Sequence, residues 1–122
     1  DSWERDNDWV LMRYAEILMM QAECNFRLGY TPTALTYINQ IRKRAGLDDL
    51  TTLTLDDLDN EWKHEFVFEN LRRTTNIRFG TYFKPWWEKP ADPADKHTGI
   101  YPIPQEELSK NPNLKQNLGY EN

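Results

Sequence analysis

The sequence predicts an all-α protein whose last third is irregular. Between residues 8 and 73, apolar residues recur at the helical spacing of three and four positions in three segments, with turn residues between the segments. Six of the seven prolines follow Gly80, where they disfavour long helices and strands. We therefore expect a single domain over residues 1–122, with helices first and an irregular, proline-rich C-terminal wrap over residues 81–122.

The first helix is predicted over residues 8–28 and has two apolar stripes. Stripe one consists of Ala15, Leu18, Met19, Ala22 and Phe26. Stripe two consists of Tyr14, Ile17, Gln21, Cys24 and Leu28. A helix that is apolar on two sides packs between neighbours, so Cys24 is predicted to be a small buried side chain and not a reactive thiol. The narrow polar arc left over contains Glu16 and the favourable i,i+4 pair of Glu23 and Arg27.

A second helix follows a short turn and completes a helical hairpin over residues 8–46. Gly29 ends the first helix, and Thr31-Pro32 supplies an N-cap hydroxyl followed by proline at the first helical position. The apolar positions before the terminating Gly46 are Ala34, Ile38, Ile41 and Ala45. Small alanines on the inner face permit a close approach of the two helices, which is typical of tetratricopeptide-like hairpins.

A third helix is predicted over residues 54–73. Thr54 and Asp57 fit an N-cap residue followed by an acidic first turn. The apolar stripe of this helix consists of Leu55, Leu58, Trp62 and Phe66, widened by Val67 and Phe68. Within the wrap, a short helical turn is expected over residues 105–110, ended by Asn111-Pro112.

The composition excludes several classes of protein. The net charge of -5 leaves no basic excess to bind a nucleic-acid backbone. Cys24 is the single cysteine, so no disulfide can form within the chain. The longest apolar run, Ile17 to Met20, is far shorter than the roughly 20 residues of a membrane-spanning helix.

No metal-binding or catalytic motif is complete in the sequence. His64-Glu65 begins like the helix motif of zinc proteases, but Phe68 occupies the position of the second histidine, and His97 is the only other histidine. Glu61 and His64 match one half of a di-iron motif, and a second half is absent. We therefore predict no metal, no cofactor and no catalytic residues.

Two carboxylates in the third helix, Glu65 and Glu69, lie next to large apolar residues, where an unpaired charge would be costly. Arg72, Arg73 and Arg78 follow closely, so structural ion pairs are the favoured interpretation. An acid/base enzyme built on the two carboxylates is a weaker alternative, which requires that they line an open pocket without an arginine partner.

An aromatic cluster in a proline-bounded loop could stack on the apolar face of a sugar if the cluster is exposed. The cluster consists of Tyr82, Phe83, Trp86 and Trp87. We predict Trp86, Trp87 and Tyr82 as ligand-binding residues. The alternative is that these rings fill the core beneath the wrap. Trp3 and Trp9 are weaker candidates near the N-terminus.

Four blocks of sequence, in order, resemble the C-terminal region of the SusD/RagB family. The first is Leu11-Met-Arg-Tyr-Ala-Glu16 with Gln21-Ala-Glu23, and the second is Ala34-Leu, Ile38-Asn-Gln-Ile-Arg42 and Arg44-Ala-Gly46. The third is Glu65-Phe-Val-Phe-Glu69, Arg72-Arg and Ile77-Arg-Phe-Gly80. The fourth is Tyr101-Pro-Ile-Pro104, Asn111-Pro112, Leu114, Gln116-Asn117 and Gly119-Tyr120. Two positions depart from the family's pattern: Asn70 stands where glycine is common, and Thr75 where aspartate is common.

The resemblance implies an α-helical protein of the outer membrane that captures glycans, or peptides in some members, for a TonB-dependent, SusC-like transporter. It implies a binding protein and not an enzyme, located at the cell surface and attached to the membrane through a lipid on an N-terminal part. Members are several times longer than this chain, which is therefore expected to be a C-terminal segment. If upstream helices are missing, stripe two should be partly uncovered. The family assigns no role to the loop over residues 81–98.

A different function remains as the alternative. Tetratricopeptide-like hairpins also occur in free-standing modules that bind a peptide in a helical groove. Such a module needs neither a lipid nor a transporter.

Overall fold

The computed structural model describes residues 10–121, and the prediction of an all-α fold is confirmed within them. The chain divides into two compact units, Asp1–Val67 and Phe68–Asn122. The first unit contains α1 (Tyr14–Arg27), α2 (Thr31–Arg44) and α3 (Leu55–Glu65). The second contains α4 (Arg72–Phe79), a 3-10 helix (His97–Gly99) and α5 (Gln105–Lys110). None of the helices in the described range is both long enough and apolar enough to cross a bilayer.

The hairpin of α1 and α2 is built around fully buried apolar side chains. Met19 of α1 and Ile38 of α2 are removed from solvent completely. Ala22 and Ala34 are equally buried, and their small side chains allow the two helix backbones to approach closely. Leu58 of α3 joins the same core. Each large side chain buried in this way contributes about 2 kcal/mol to stability.

The predicted turn glycines and the cap of α3 are confirmed, but the predicted N-cap role of Thr31 is wrong, because Thr31 is already helical and the N-cap of α2 is Tyr30, without a side-chain hydrogen bond. Gly29 and Gly46 follow α1 and α2 with φ of 87° and 74°, in the left-handed region that favours glycine. Thr54 caps α3: its hydroxyl accepts a hydrogen bond of 3.1 Å from the Asp57 N–H, and the Asp57 carboxylate accepts one of 2.9 Å from the Thr54 N–H. The short helix in the wrap, α5, occupies the range predicted for it.

The helix predicted over residues 54–73 ends at Glu65, and a separate helix that was not predicted, α4, begins at Arg72. α3 ends at Glu65, whose backbone carbonyl oxygen accepts a hydrogen bond of 2.8 Å from the guanidinium of Arg13. Val67 and Phe68 are exposed and do not widen the buried stripe. Phe68 is 98% exposed and has φ of 65°, which no helix can contain. The last carbonyl oxygen of α3 is thus paired with a residue far away in the sequence, which no local pattern shows.

α1 is shorter than predicted, and it buries part of its predicted polar arc in addition to stripe one. It begins at Tyr14, and the first predicted helical residues, 8 and 9, lie outside the described part of the chain. Stripe one is buried or half-buried as expected, but Glu16 and Glu23 of the predicted polar arc are buried beside it. Glu23 keeps its predicted ion pair with Arg27 at 2.9 Å, which compensates part of the cost of burying its charge.

Stripe two of α1 is exposed along its whole length. Cys24 is exposed with it, so the prediction of a buried cysteine is wrong. The physical reason is that α1 packs against α2 and α3 from one side only, and its other side stays open within the described residues. The exposure of stripe two agrees with the expectation of a partly uncovered face.

Ion pairs join α3 to the rest of the first unit. The Glu65 carboxylate accepts hydrogen bonds from Arg13 at 2.8 Å and from Arg44 at 2.5 and 2.6 Å. One helical turn earlier, Glu61 pairs with Arg42. The prediction of structural ion pairs is confirmed for Glu65, but its partners come from the residue before α1 and from the end of α2.

The second unit is mostly irregular, and side-chain amides hold its tail in place. The Gln116 amide oxygen accepts a hydrogen bond of 2.8 Å from the Ile103 N–H, and the Gln116 amide nitrogen donates one of 2.9 Å to the Ile103 carbonyl oxygen. Asn117 donates to the carbonyl oxygen of Tyr101 at 2.8 Å. These bonds order a tail that has little regular structure of its own.

Candidate functional site

Trp87 and Glu88 form the tip of a two-residue hairpin turn in the second unit. Two backbone hydrogen bonds close the turn: the Trp86 N–H donates to the Lys89 carbonyl oxygen at 3.1 Å, and the Lys89 N–H donates to the Trp86 carbonyl oxygen at 2.7 Å. Glu88 has φ of 47°, in the left-handed region, and Trp87 does not; positive φ at the second tip residue alone is the pattern of a type II turn and not of the primed turns usual in hairpins. The Lys89 N–H also contacts the Trp87 carbonyl oxygen, so backbone contacts bracket both tip residues.

Lys89 and Asp92 tie the turn to the loop on either side of it. The Lys89 ammonium donates to the Tyr82 carbonyl oxygen at 3.0 Å and forms an ion pair with Asp92. The Asp92 carboxylate also accepts a hydrogen bond of 2.8 Å from the Thr98 hydroxyl, and the Asp92 N–H donates to the Phe83 carbonyl oxygen at 3.1 Å. The pKa of Asp92 lies below its ordinary value, mainly because of the hydrogen bond from Lys89 and secondly because of the one from Thr98. This carboxylate is therefore ionised at neutral pH.

Two cations approach the ring of Tyr82 at the base of this loop. The Arg73 guanidinium and the Lys89 ammonium are each 5.3 Å from the ring centroid. The Phe83 ring meets the Tyr82 ring edge-on, with 5.3 Å between centroids. Because Tyr82 is half-buried in these contacts, the structure separates it from the exposed tip, and its binding role stays a prediction.

The structure exposes the two tryptophans that the sequence singles out. Trp86 is 59% and Trp87 86% exposed within the described chain, so neither ring fills a core there. An exposed indole on a fixed turn can stack on the apolar face of a sugar or pack against an apolar protein surface. Trp3 and Trp9, the weaker candidates, lie outside the described residues.

The predicted site does not include three polar residues of this loop: Glu88 and Lys89 of the turn, and Asp92 beyond it. The i,i+3 spacing of Lys89 and Asp92 is a weak signal for their ion pair. The left-handed backbone of Glu88 leaves no signal, because sequence reasoning expects glycine or asparagine in that conformation.

The geometry does not support the acid/base enzyme alternative built on Glu65. Glu65, the proposed acid/base group of the enzyme alternative, has a side chain only 8% exposed and contacts both Arg13 and Arg44. This is a structural ion pair and not an open catalytic pocket. Between residues 10 and 121, no group of three or more histidine, cysteine, aspartate or glutamate side chains is placed to hold a metal ion.

Residues 1–100 match the model of the SusD family. The chain belongs to this family. It is 35% identical to the starch-binding protein SusD of Bacteroides thetaiotaomicron, over 94% of this chain and 22% of that protein. It is 27% identical to the SusD-like protein P38 of Formosa agariphila, over 94% of this chain and 25% of that protein.

A solved structure supports the same assignment. The crystal structure of a SusD-like protein from Bacteroides fragilis matches 92% of this chain and 26% of that chain, with a TM-score of 0.78 and 27% identity. The predicted family and the predicted fold are thus both confirmed. The chain spans about a quarter of the length of these relatives. The Bacteroides thetaiotaomicron relative is named as a starch-binding protein.

Proposed function

We propose that this protein binds glycans, or other nutrients, at the bacterial cell surface and delivers them without catalysis to a TonB-dependent, SusC-like transporter. Membership of the SusD family and the similarity to a starch-binding relative support the proposal. In this proposal the protein is attached to the outer membrane through a lipid on an N-terminal part. Residues 1–122 form a C-terminal segment of the whole.

The observation that carries a binding role for this chain is the exposure of Trp86 and Trp87 on a hydrogen-bonded turn. A large apolar ring left in water favours any ligand that covers it, by about 25 cal/mol per Å² of apolar surface removed from solvent. The turn is already ordered by its backbone bonds and by Lys89, so a ligand need not pay for ordering it. Sugars present apolar C–H faces that fit an indole ring.

Calorimetric titration of the full-length protein with maltoheptaose and with other neutral oligosaccharides tests the binding site. We expect Trp86→Ala and Trp87→Ala each to weaken binding about tenfold, because each removes a stacking surface worth roughly 1 kcal/mol or more. Tyr30→Ala is the matched control, since Tyr30 is an aromatic residue that is 60% exposed in the first unit. Unchanged affinity in the double tryptophan variant would remove the site while leaving the family intact.

The location and the partner are tested separately from the ligand. Protease treatment of intact cells should degrade the protein if it lies at the cell surface. Purification from detergent-solubilised outer membranes should recover a TonB-dependent transporter with it. A protein protected in intact cells, or recovered without any transporter, contradicts the corresponding part of the proposal.

A second candidate function is the tetratricopeptide-like module that binds a peptide. The exposed stripe two on α1 favours it, because an apolar helix face can accept an amphipathic segment. Substituting Ile17→Ser and Leu28→Ser distinguishes the candidates. Peptide capture should be lost if this function is correct, and glycan affinity should be unchanged if the glycan site lies on the turn.

A further inference from the structure

Glu88 occupies a backbone conformation that disfavours it. Its φ of 47° lies in the left-handed region, which costs a residue with a Cβ about 1 kcal/mol or more. At the second tip residue of such a turn, glycine or asparagine avoids most of this cost. Among the described residues without glycine's freedom, Phe68, Asn70 and Lys96 share this conformation. What sets Glu88 apart from them is its place beside Trp87 at the tip of the turn.

The Glu88 side chain has no structural role that offsets this strain. It is exposed, and it forms no hydrogen bond, ion pair or ring contact with residues 10–121. The neighbouring acid, Asp92, differs in each respect, since its carboxylate pairs with Lys89 and accepts a hydrogen bond from Thr98. Packing and internal electrostatics thus account for Asp92 and leave Glu88 unexplained.

The position of Glu88 relative to the tryptophans suggests what its carboxylate does. It follows Trp87 directly at the tip, and it precedes Lys89, whose ammonium is already occupied by the Tyr82 carbonyl oxygen and by Asp92. A carboxylate carries two oxygens that accept hydrogen bonds, and bonds to an ionised acceptor are about twice as strong as neutral ones. An apolar ring with an adjacent acceptor matches a sugar, which has an apolar face bordered by hydroxyl donors.

We propose that Glu88 is a ligand-binding and specificity-determining residue of the turn. Its carboxylate accepts hydrogen bonds from neighbouring hydroxyls of a neutral sugar stacked on the tryptophans. The same negative charge disfavours glycans that carry carboxylate or sulfate groups. This inference rests on the proposed function, because it assumes that Trp86 and Trp87 bind a glycan.

The experiment measures the affinity of the full-length protein for two kinds of probe by calorimetry. The neutral probes are maltoheptaose, cellohexaose and laminarihexaose, and the charged probe is hexagalacturonate. Glu88→Gln keeps the side-chain volume and the strained backbone but removes the charge. We expect it to weaken binding of the tightest neutral probe about fivefold to tenfold and to leave hexagalacturonate binding equal or stronger.

Three further variants separate recognition from structure. Glu88→Gly relieves the backbone strain, so the thermal midpoint should stay equal or rise while affinity for the neutral probe falls. Lys84→Gln and Glu106→Gln remove other exposed charges of the second unit and should leave both affinities unchanged. The decisive readout is the ratio of neutral to charged affinity, because a purely structural effect of Glu88 would weaken both probes equally.

Each outcome supports or overturns a specific statement. If the tryptophan variants lose affinity and Glu88→Gln keeps it, the Glu88 inference is wrong and the proposed site stands. If the tryptophan variants bind normally, or if the wild type binds none of the probes, the proposed site fails and the Glu88 inference fails with it. A wild type that prefers hexagalacturonate to every neutral probe also overturns the specificity.

Discussion

Replacing Glu65 with alanine removes the central carboxylate of the first unit. The side chain is 8% exposed and pairs with Arg13 at 2.8 Å and with Arg44 at 2.5 Å. The Arg44 side chain is 58% exposed and regains water when its partner is lost, so this pair contributes only about 0.5 kcal/mol. The Arg13 pair is less exposed, and losing a hydrogen bond between charged groups there costs about 1.5–3 kcal/mol.

The expected loss for Glu65→Ala is therefore about 2–3 kcal/mol in the free energy of unfolding. It stays below the 3–5 kcal/mol typical of a fully buried pair, because Arg13 keeps its hydrogen bond to the backbone carbonyl oxygen of residue 65. Glu65→Gln keeps an acceptor of the same size and should lose about half as much.

Urea denaturation followed by circular dichroism at the helical band measures these differences. The matched control is Glu106→Gln, which breaks a pair between two exposed side chains on α5 and should cost less than about 0.5 kcal/mol. A Glu65→Ala variant as stable as this control would refute the reasoning, because Arg13 and Arg44 would then be contributing nothing through the carboxylate.

Three further predictions concern the tail, the loop and the exposed helix face. Gly119→Ala would place a Cβ 2.5 Å from the His97 ring, so amide hydrogen exchange in the tail should accelerate. The control is Gly29→Ala, which has a similar φ but no atom within 4 Å of the new Cβ. It should lower the free energy of unfolding by only about 1 kcal/mol and leave exchange in the tail unchanged. The pKa of Asp92 should lie below 3.8 in a carboxyl NMR titration and return toward 3.8 in Lys89→Met. The pKa of Asp92 is lower in the folded protein than in the unfolded chain, so its ionised carboxylate stabilises the fold above pH 3.8, and this stabilisation is lost as the pH falls through the folded pKa. An Asp92 carboxyl with an unshifted pKa in the wild type contradicts this prediction. Because stripe two is exposed, the isolated chain should either self-associate or have a low thermal midpoint of unfolding. A monomer that unfolds in one sharp calorimetric transition at high temperature would contradict this prediction.

The helices of the first unit show how far local patterns reach. Thr54 and Asp57 predict the start of α3 correctly, because an N-cap is built from residues within one turn. The predicted end of α3 is several residues too late: Phe68 has a left-handed backbone, and the carbonyl oxygen of Glu65 bonds to the distant Arg13. The partners of Glu65 are missed because they are distant in sequence: Arg72, Arg73 and Arg78, which follow it in the chain, were expected, and Arg13 and Arg44 bind it.

Some features of the candidate site can be predicted from the sequence, and others appear only in the structure. Clustering of Trp86 and Trp87 between prolines is visible in the sequence and suggests a surface loop. The two-residue turn, its closure by Lys89 and the left-handed backbone of Glu88 are not visible, since none of these residues is a strong turn former. Tyr82 shows what the sequence pattern cannot predict. It lies close to the tryptophans in the sequence, but in the structure its ring contacts Arg73 at the base of the loop.

The sequence by itself determined the family, the helical class and the starts of α2, α3 and α5, because periodicity, caps and motifs are properties of neighbouring residues. It also singled out the two tryptophans. Only the tertiary structure decided which side of α1 is buried, which arginines neutralise Glu65 and which aromatic rings remain in water. These depend on what packs against each surface, and packing joins residues that are distant along the chain.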